Sequence, residues 1–146
     1  YETELKIEVR DNVVPSKAIS DLSKAKIALI SSGGLVPMGN PDRMPAGTCS
    51  IWKKYDISEM DSLKSGEFYS IHAGINTDFV NENPEVLVPL SSFREFEKNG
   101  EIGEIDKYLY STTGNLATLK NARLIGKGLA EALKDAGVDG AYLVST

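Results

Sequence analysis

One cysteine, one histidine and one tryptophan are all that 146 residues contain of these types. A single thiol excludes an internal disulfide. One Cys with one His falls short of the usual zinc ligand sets, so no metal site is expected. Basic charge is also scarce: 16 Lys+Arg stand against 21 Asp+Glu, a formal net charge of −5 at pH 7. No nucleic-acid or anionic-membrane partner is expected of such a balance. No apolar run approaches the ~20 residues that span a bilayer. The opening residues lack the charged-then-apolar pattern of a secretory leader, and a reducing cytoplasm is the expected compartment.

What is present fits a globular domain: 41% apolar and 25% charged residues,. Leu5, Ile7 and Val9 alternate with polar neighbours over Glu4 to Arg10, the period of a half-buried strand. Ala25 to Ile30 is a compact apolar run, as expected of a buried strand in an α/β sheet. The stretch from Ser31 to Asp42 then holds three Gly and two Pro and reads as loop. Irregular sequence continues past Trp52 and Tyr55 to about Gly66. Phe68 to Ala73 reads as a second core strand, followed by an irregular stretch from Ile75 to Pro84. Leu90, Phe93 and Phe96 give Pro89 to Asn99 a helical period. Ser92 with Glu95 fits a capping box, and Asn99-Gly100 fits a stop. Lys107 to Ser111 is a third strand.

From Leu119 to Ala136, Ala122, Ile125, Leu129, Ala132, Leu133 and Ala136 form one stripe of a helix. Gly126 and Gly128 inside it each cost roughly 1 kcal/mol relative to Ala, and close approach to a sheet would account for them. Gly137 reads as the left-handed C-cap, and Ala141 to Val144 as a further buried strand. The expected fold is α/β: an open, mostly parallel sheet with helices on both faces, in three layers. Residues 1–24 read as a linker or edge strand entering the domain, and residues 25–146 as the α/β domain itself.

Open parallel sheets bind ligands beyond the carboxyl ends of their strands. Four segments emerge at such ends: Ser31 to Asp42, His72 to Asn83, Ser111 to Asn115, and Ser145-Thr146. The glycine-rich loop matches neither phosphate-binding pattern, and no helix follows it. It reads as a tight loop that needs φ > 0 at Gly33 or Gly34. His72 stands where a strand meets a loop, either as a hydrogen-bonded structural group or as a proton donor or substrate-orienting group. Asn81, Asn83 and Asn115 read as turn formers. Cys49 lies outside any C-x-x-C and reads as an incidental thiol. Trp52 and Tyr55 read as lid packing. Two functions remain open on the residues alone: a small α/β ligand-binding module, and a cofactor-free, racemase-like enzyme using His72.

Several strings together resemble one family. Ser32-Gly33-Gly34-Leu35-Val36-Pro37-Met38-Gly39-Asn40-Pro41-Asp42 is similar to a signature of the selenoprotein subunit of component B. That component serves the glycine, sarcosine and betaine reductases of amino-acid-fermenting anaerobes. His72-Ala73-Gly74, Asn81-Glu82-Asn83-Pro84 with Val88-Pro89-Leu90, Tyr110-Ser111-Thr112-Thr113-Gly114-Asn115 and the stretch from Ala136 to Thr146 follow in the family's order. The resemblance implies an internal fragment of a larger subunit. A selenocysteine, encoded by UGA, is expected directly after Thr146, so the domain would be truncated at the strand preceding it. No catalytic residue then lies in this chain.

The resemblance further implies reductive cleavage of the substrate C–N bond and transfer of a carboxymethyl group to a selenoprotein partner, leading to acetyl phosphate. The implied cofactors are selenocysteine and a pyruvoyl group on a partner subunit, with no nucleotide or metal. The implied partners are that pyruvoyl-bearing subunit of component B, the selenoprotein component A, and a small amine: glycine, sarcosine or betaine. The substrate-cleft candidates are Gly33, Gly34, Gly39, Asn40, His72, Asn83, Gly114, Asn115, Ser145 and Thr146.

Overall fold

A computed structural model of the chain describes residues 13–146. The strand expected over Glu4 to Arg10 lies outside the described residues. In chain order the strands are β1 (Lys26–Ser31), β2 (Leu35–Pro37), β3 (Lys53–Asp56), β4 (Phe68–Ser70), β5 (Glu104–Ser111) and β6 (Gly140–Val144). The helices are α1 (Asp78–Glu82), α2 (Leu90–Lys98) and α3 (Leu119–Asp135).

β1 is buried at five of its six positions because it is the inner strand of the main sheet. It pairs in parallel with β5 on one side and with β6 on the other. β3 runs antiparallel along the outer edge of β5, which gives the order β3-β5-β1-β6. The pleat sends alternate side chains to opposite faces. Ile27 and Leu29 join Leu109, Leu90 and Phe93 of α2 in one apolar layer. Ala28 and Ile30 join Tyr110 and the Ile125 and Leu129 stripe of α3 in the other. The sheet is therefore open and mixed, with a helix on each face, and the fold is α/β. Full burial of each Leu or Ile contributes about 1.5–3 kcal/mol. Among the described residues no helix is long and apolar enough to cross a membrane.

Several local expectations are corrected. Phe68 to Ala73 is no strand of the main sheet. β4 covers only Phe68–Ser70 and pairs antiparallel with β2 in a separate two-stranded sheet. β2 itself arises within the glycine-rich stretch, and β3 within the stretch read as irregular. The Ala141 to Val144 segment is not buried. It forms the end strand of the described sheet, with Leu143 60% and Tyr142 43% exposed.

The capping box at Ser92 and Glu95 does not form, because α2 begins at Leu90 with Pro89 as N-cap. Glu85 supplies the cap from outside the helix: its carboxylate accepts from the Ser91 backbone N–H at 2.9 Å and from the Ser91 hydroxyl. The stop at Asn99-Gly100 is as expected, with Gly100 at φ +72°. Gly137 likewise takes φ +69° after α3. Of the two glycines inside α3, only Gly128 meets a close neighbour. A Cβ there would lie 2.6 Å from Trp52 Nε1, whereas one on Gly126 would meet open space.

Candidate functional site

The carboxyl ends of β1, β5 and β6 lie side by side, and the loops leaving them are tied to one another by backbone hydrogen bonds. Ser32 N–H donates to Val144 O at 3.0 Å, Gly34 N–H to Thr112 O at 2.9 Å, and Gly114 N–H to Ser32 O at 2.8 Å. His72 arrives by a different route from the one its sequence suggests. β4 leaves the small sheet, Ile71 N–H donates to Gly34 O at 3.0 Å, and the next residue is delivered to the same place. Gly34 makes this possible. Its φ is +62°, and a Cβ would stand 3.0 Å from Thr113 Oγ1 and 3.2 Å from the His72 backbone nitrogen.

His72 is buried, 4% exposed, and both its ring nitrogens are engaged. Nδ1 accepts from the Gly74 N–H at 3.1 Å. That bond requires a lone pair on Nδ1, so in the neutral ring the proton sits on Nε2. Nε2 is 3.2 Å from Thr146 Oγ1 and donates to it. Burial holds the imidazole below the ordinary histidine pKa and so favours this neutral form,. Beyond it, Thr146 Oγ1 lies 3.4 Å from Ser32 Oγ, and Ser32 Oγ accepts from the Thr146 N–H at 3.1 Å. The result is a polar chain from the imidazole through two hydroxyls to the carboxyl end of β6.

Asn115 lies close to the His72 ring, with Gly74 against both. Its backbone carbonyl accepts from Thr48 N–H at 2.8 Å, and its Nδ2 donates to Ala46 O at 3.4 Å. Two glycines leave room for it. A Cβ on Gly74 would stand 2.8 Å from Asn115 Oδ1 and 3.0 Å from His72 Cε1, and one on Gly47 would stand 2.9 Å from Asn115 Nδ2. Beneath lie two buried hydroxyls, Ser111 Oγ and Thr113 Oγ1, with no hydrogen-bond partner among the described residues.

Seven of the ten residues selected from the sequence thus fall at this end of the sheet. Gly33, Gly34, His72, Gly114, Asn115 and Thr146 touch one another directly or through one residue, and the exposed Ser145 lies between Val144 and Thr146. The other three have local duties. Gly39 takes φ +82° in open space in a turn, and Asn40 closes the following loop through two 2.9 Å bonds with the Met44 backbone. Asn83 caps a single turn by accepting from the Glu85 N–H at 3.2 Å. Cys49 is buried, with Sγ 3.2 Å from Ile51 O. Trp52 packs on Tyr110 and Tyr55 on Phe68.

Sequence reasoning passed over Ser32, Ser70, Gly47, Gly74 and Thr113. Ser70 Oγ donates to Gly33 O at 2.7 Å and accepts from the His72 N–H at 3.2 Å, so it sets the entry of the histidine. Only Ser32, Gly74 and Thr113 carried a signal, because they sit inside the strings that resemble the reductase family.

The sheet is that of an α/β protein, and the carboxyl ends of its strands, the edge where such sheets bind ligands, gather a neutral histidine, two hydroxyls and an amide. The chain belongs to the glycine/sarcosine/betaine reductase selenoprotein B family, whose model matches residues 1–146. It is 42% identical to the glycine reductase complex component B subunit gamma of Peptoclostridium litorale, over all of this chain and 34% of that protein. It is 40% identical to the betaine and the sarcosine reductase complex component B subunits beta of Peptoclostridium acidaminophilum, over all of this chain and 33% and 34% of those proteins. The chain thus spans about a third of the length of these curated relatives. No solved structure shows a significant match.

Proposed function

We propose that these residues form the cleft-bearing part of a component B subunit that reductively cleaves the C–N bond of glycine, sarcosine or betaine. In this reading a carboxymethyl group passes to the selenoprotein component A and leads to acetyl phosphate, and a pyruvoyl-bearing subunit of component B is the second partner. The observation that carries the reading is the chain from His72 through Thr146 to Ser32, which holds the backbone at the position directly before the expected selenocysteine.

The residues present fit a selenocysteine after Thr146. The Thr146 amide is held by Ser32 Oγ and its hydroxyl by His72, so the backbone that would carry the selenium is positioned from two separate loops. A selenol supplies a nucleophile that is mostly ionised at neutral pH. His72 contributes an uncharged N–H donor whose direction is set by Gly74. Asn115, fixed by Ala46 and Thr48, offers an amide beside it to orient a small polar substrate. Gly74 lets the His72 ring and the Asn115 amide pack close together, since a Cβ there would meet both.

The test combines the full-length, selenocysteine-containing subunit with its pyruvoyl-bearing partner and component A, and supplies glycine, sarcosine or betaine in turn. Mass spectrometry of component A is expected to show a carboxymethyl adduct with one of the three. Absence of the adduct with all three, from folded components, refutes the reading. So does a sense codon, UAA or UAG, in place of an in-frame UGA after the Thr146 codon.

A further inference from the structure

The two outer strands of the sheet are built differently. β3 reads Lys53-Lys54-Tyr55-Asp56, three charged residues in four, as befits a permanent edge that must not recruit other strands,. β6 reads Gly140-Ala141-Tyr142-Leu143-Val144, with no charge and no proline. One side of β6 is paired with β1, and among the described residues its other side pairs with no strand. Both faces beside that open edge are apolar. On the α2 face, Ile19, Leu22, Ile27, Phe93, Phe96, Ile102 and Tyr142 line an open groove of about 480 Å³ whose one charged residue is Glu101. On the α3 face, Leu143 is 60% exposed, and Leu124 of α3 is also 60% exposed.

We propose that β6 is an inner strand of the full-length subunit: a further strand of the same polypeptide, from outside these residues, pairs with its open edge. Apolar side chains of the same added unit fill the groove at Tyr142 and cover Leu143. Two observations select this occupant. The curated relatives are about three times as long as this chain, so each holds some two-thirds of its polypeptide beyond the matched region. And the uncovered apolar surface lies on both faces of β6, which an added strand flanked by two layers buries and a peptide laid along one edge does not. The inference is independent of the reaction proposed above.

Hydrogen–deuterium exchange on the full-length subunit tests it, followed by peptides covering β6, β1 and β3. An inner strand has both rows of amides paired, whereas an edge strand leaves one row open to water. The expected result is β6 exchange as slow as that of β1, and slower than the open amides of β3 by at least about tenfold, at every protein concentration. Three results overturn the proposal. The first is a row of β6 amides exchanging as fast as those of β3. The second is protection that fades on dilution as a dimer dissociates, which assigns the edge to a second copy. The third is protection that arises only when another subunit is added.

Discussion

Nε2 of His72 stands 3.2 Å from Oγ1 of Thr146, although 73 residues separate them in the chain. The Gly74 N–H on Nδ1 fixes which nitrogen carries the proton, so the donor faces the carboxyl end of β6. His72→Ala removes the donor together with the acceptor that turns it. In the full-length subunit the expected loss of turnover is on the order of 10²-fold, the scale for displacing a reacting group by about 1 Å. Turnover within threefold of wild type would show that this contact is structural only.

Burial depresses the His72 pKa below its ordinary 6.5. The sign follows by linkage: between the depressed value and 6.5 the unfolded state binds more protons. The stabilisation is fully present above about pH 6.5 and is lost as pH falls through the folded pKa. Chemical denaturation across this range is expected to show a stability loss in wild type that His72→Gln lacks. Superimposable pH profiles would contradict it.

Gly74→Ala inserts a Cβ 2.8 Å from Asn115 Oδ1 and 3.0 Å from His72 Cε1. The ring or the amide must move by a fraction of an ångström or more. A displacement approaching 1 Å costs on the order of 10²-fold in rate, and a loss of rate of up to that size is expected with a far smaller effect on melting temperature. A proportionate loss of both would mean that the glycine serves folding and not the cleft.

The two glycines of α3 are expected to part company. Gly126→Ala faces open space and gains about 0.5–1 kcal/mol from helix propensity,. Gly128→Ala meets Trp52 Nε1 at 2.6 Å, and overpacking of about 1–3 kcal/mol outweighs the same gain,. Urea denaturation of both variants reads the difference directly. Equal stabilisation would mean that Trp52 moves away without cost.

Among the described residues, Thr113 Oγ1 and Ser111 Oγ are buried without a hydrogen-bond partner. An unsatisfied buried hydroxyl costs about 1–3 kcal/mol, so Thr113→Val is expected to leave stability unchanged or to raise it. A melting temperature lowered by several degrees would show that the hydroxyl is bonded.

The sequence determined the elements whose residues carry their own instructions. The stripe from Ile125 to Leu133 and the Gly137 cap produce α3 with little help, since a period of 3.6 buries one face on whatever lies beneath,. The apolar run of β1 likewise states that it must be inside. Scarcity was as informative: one histidine made His72 the only imidazole to place.

Tertiary structure decided the rest. Glu85, not Glu95, caps α2, because the cap comes from a neighbouring turn that local spacing does not reveal. β4 left the main sheet for β2, because a three-residue strand has too little pattern to choose its partner. Asn40 and Asn83 bond locally while Asn115 bonds to a loop 69 positions away in the chain, a distinction residue type cannot make. Above all, a site assembled from Ser32, His72, Asn115 and Thr146 exists only once the strands are in register. Hydrogen bonds act over about 3 Å of space and take no account of separation along the chain.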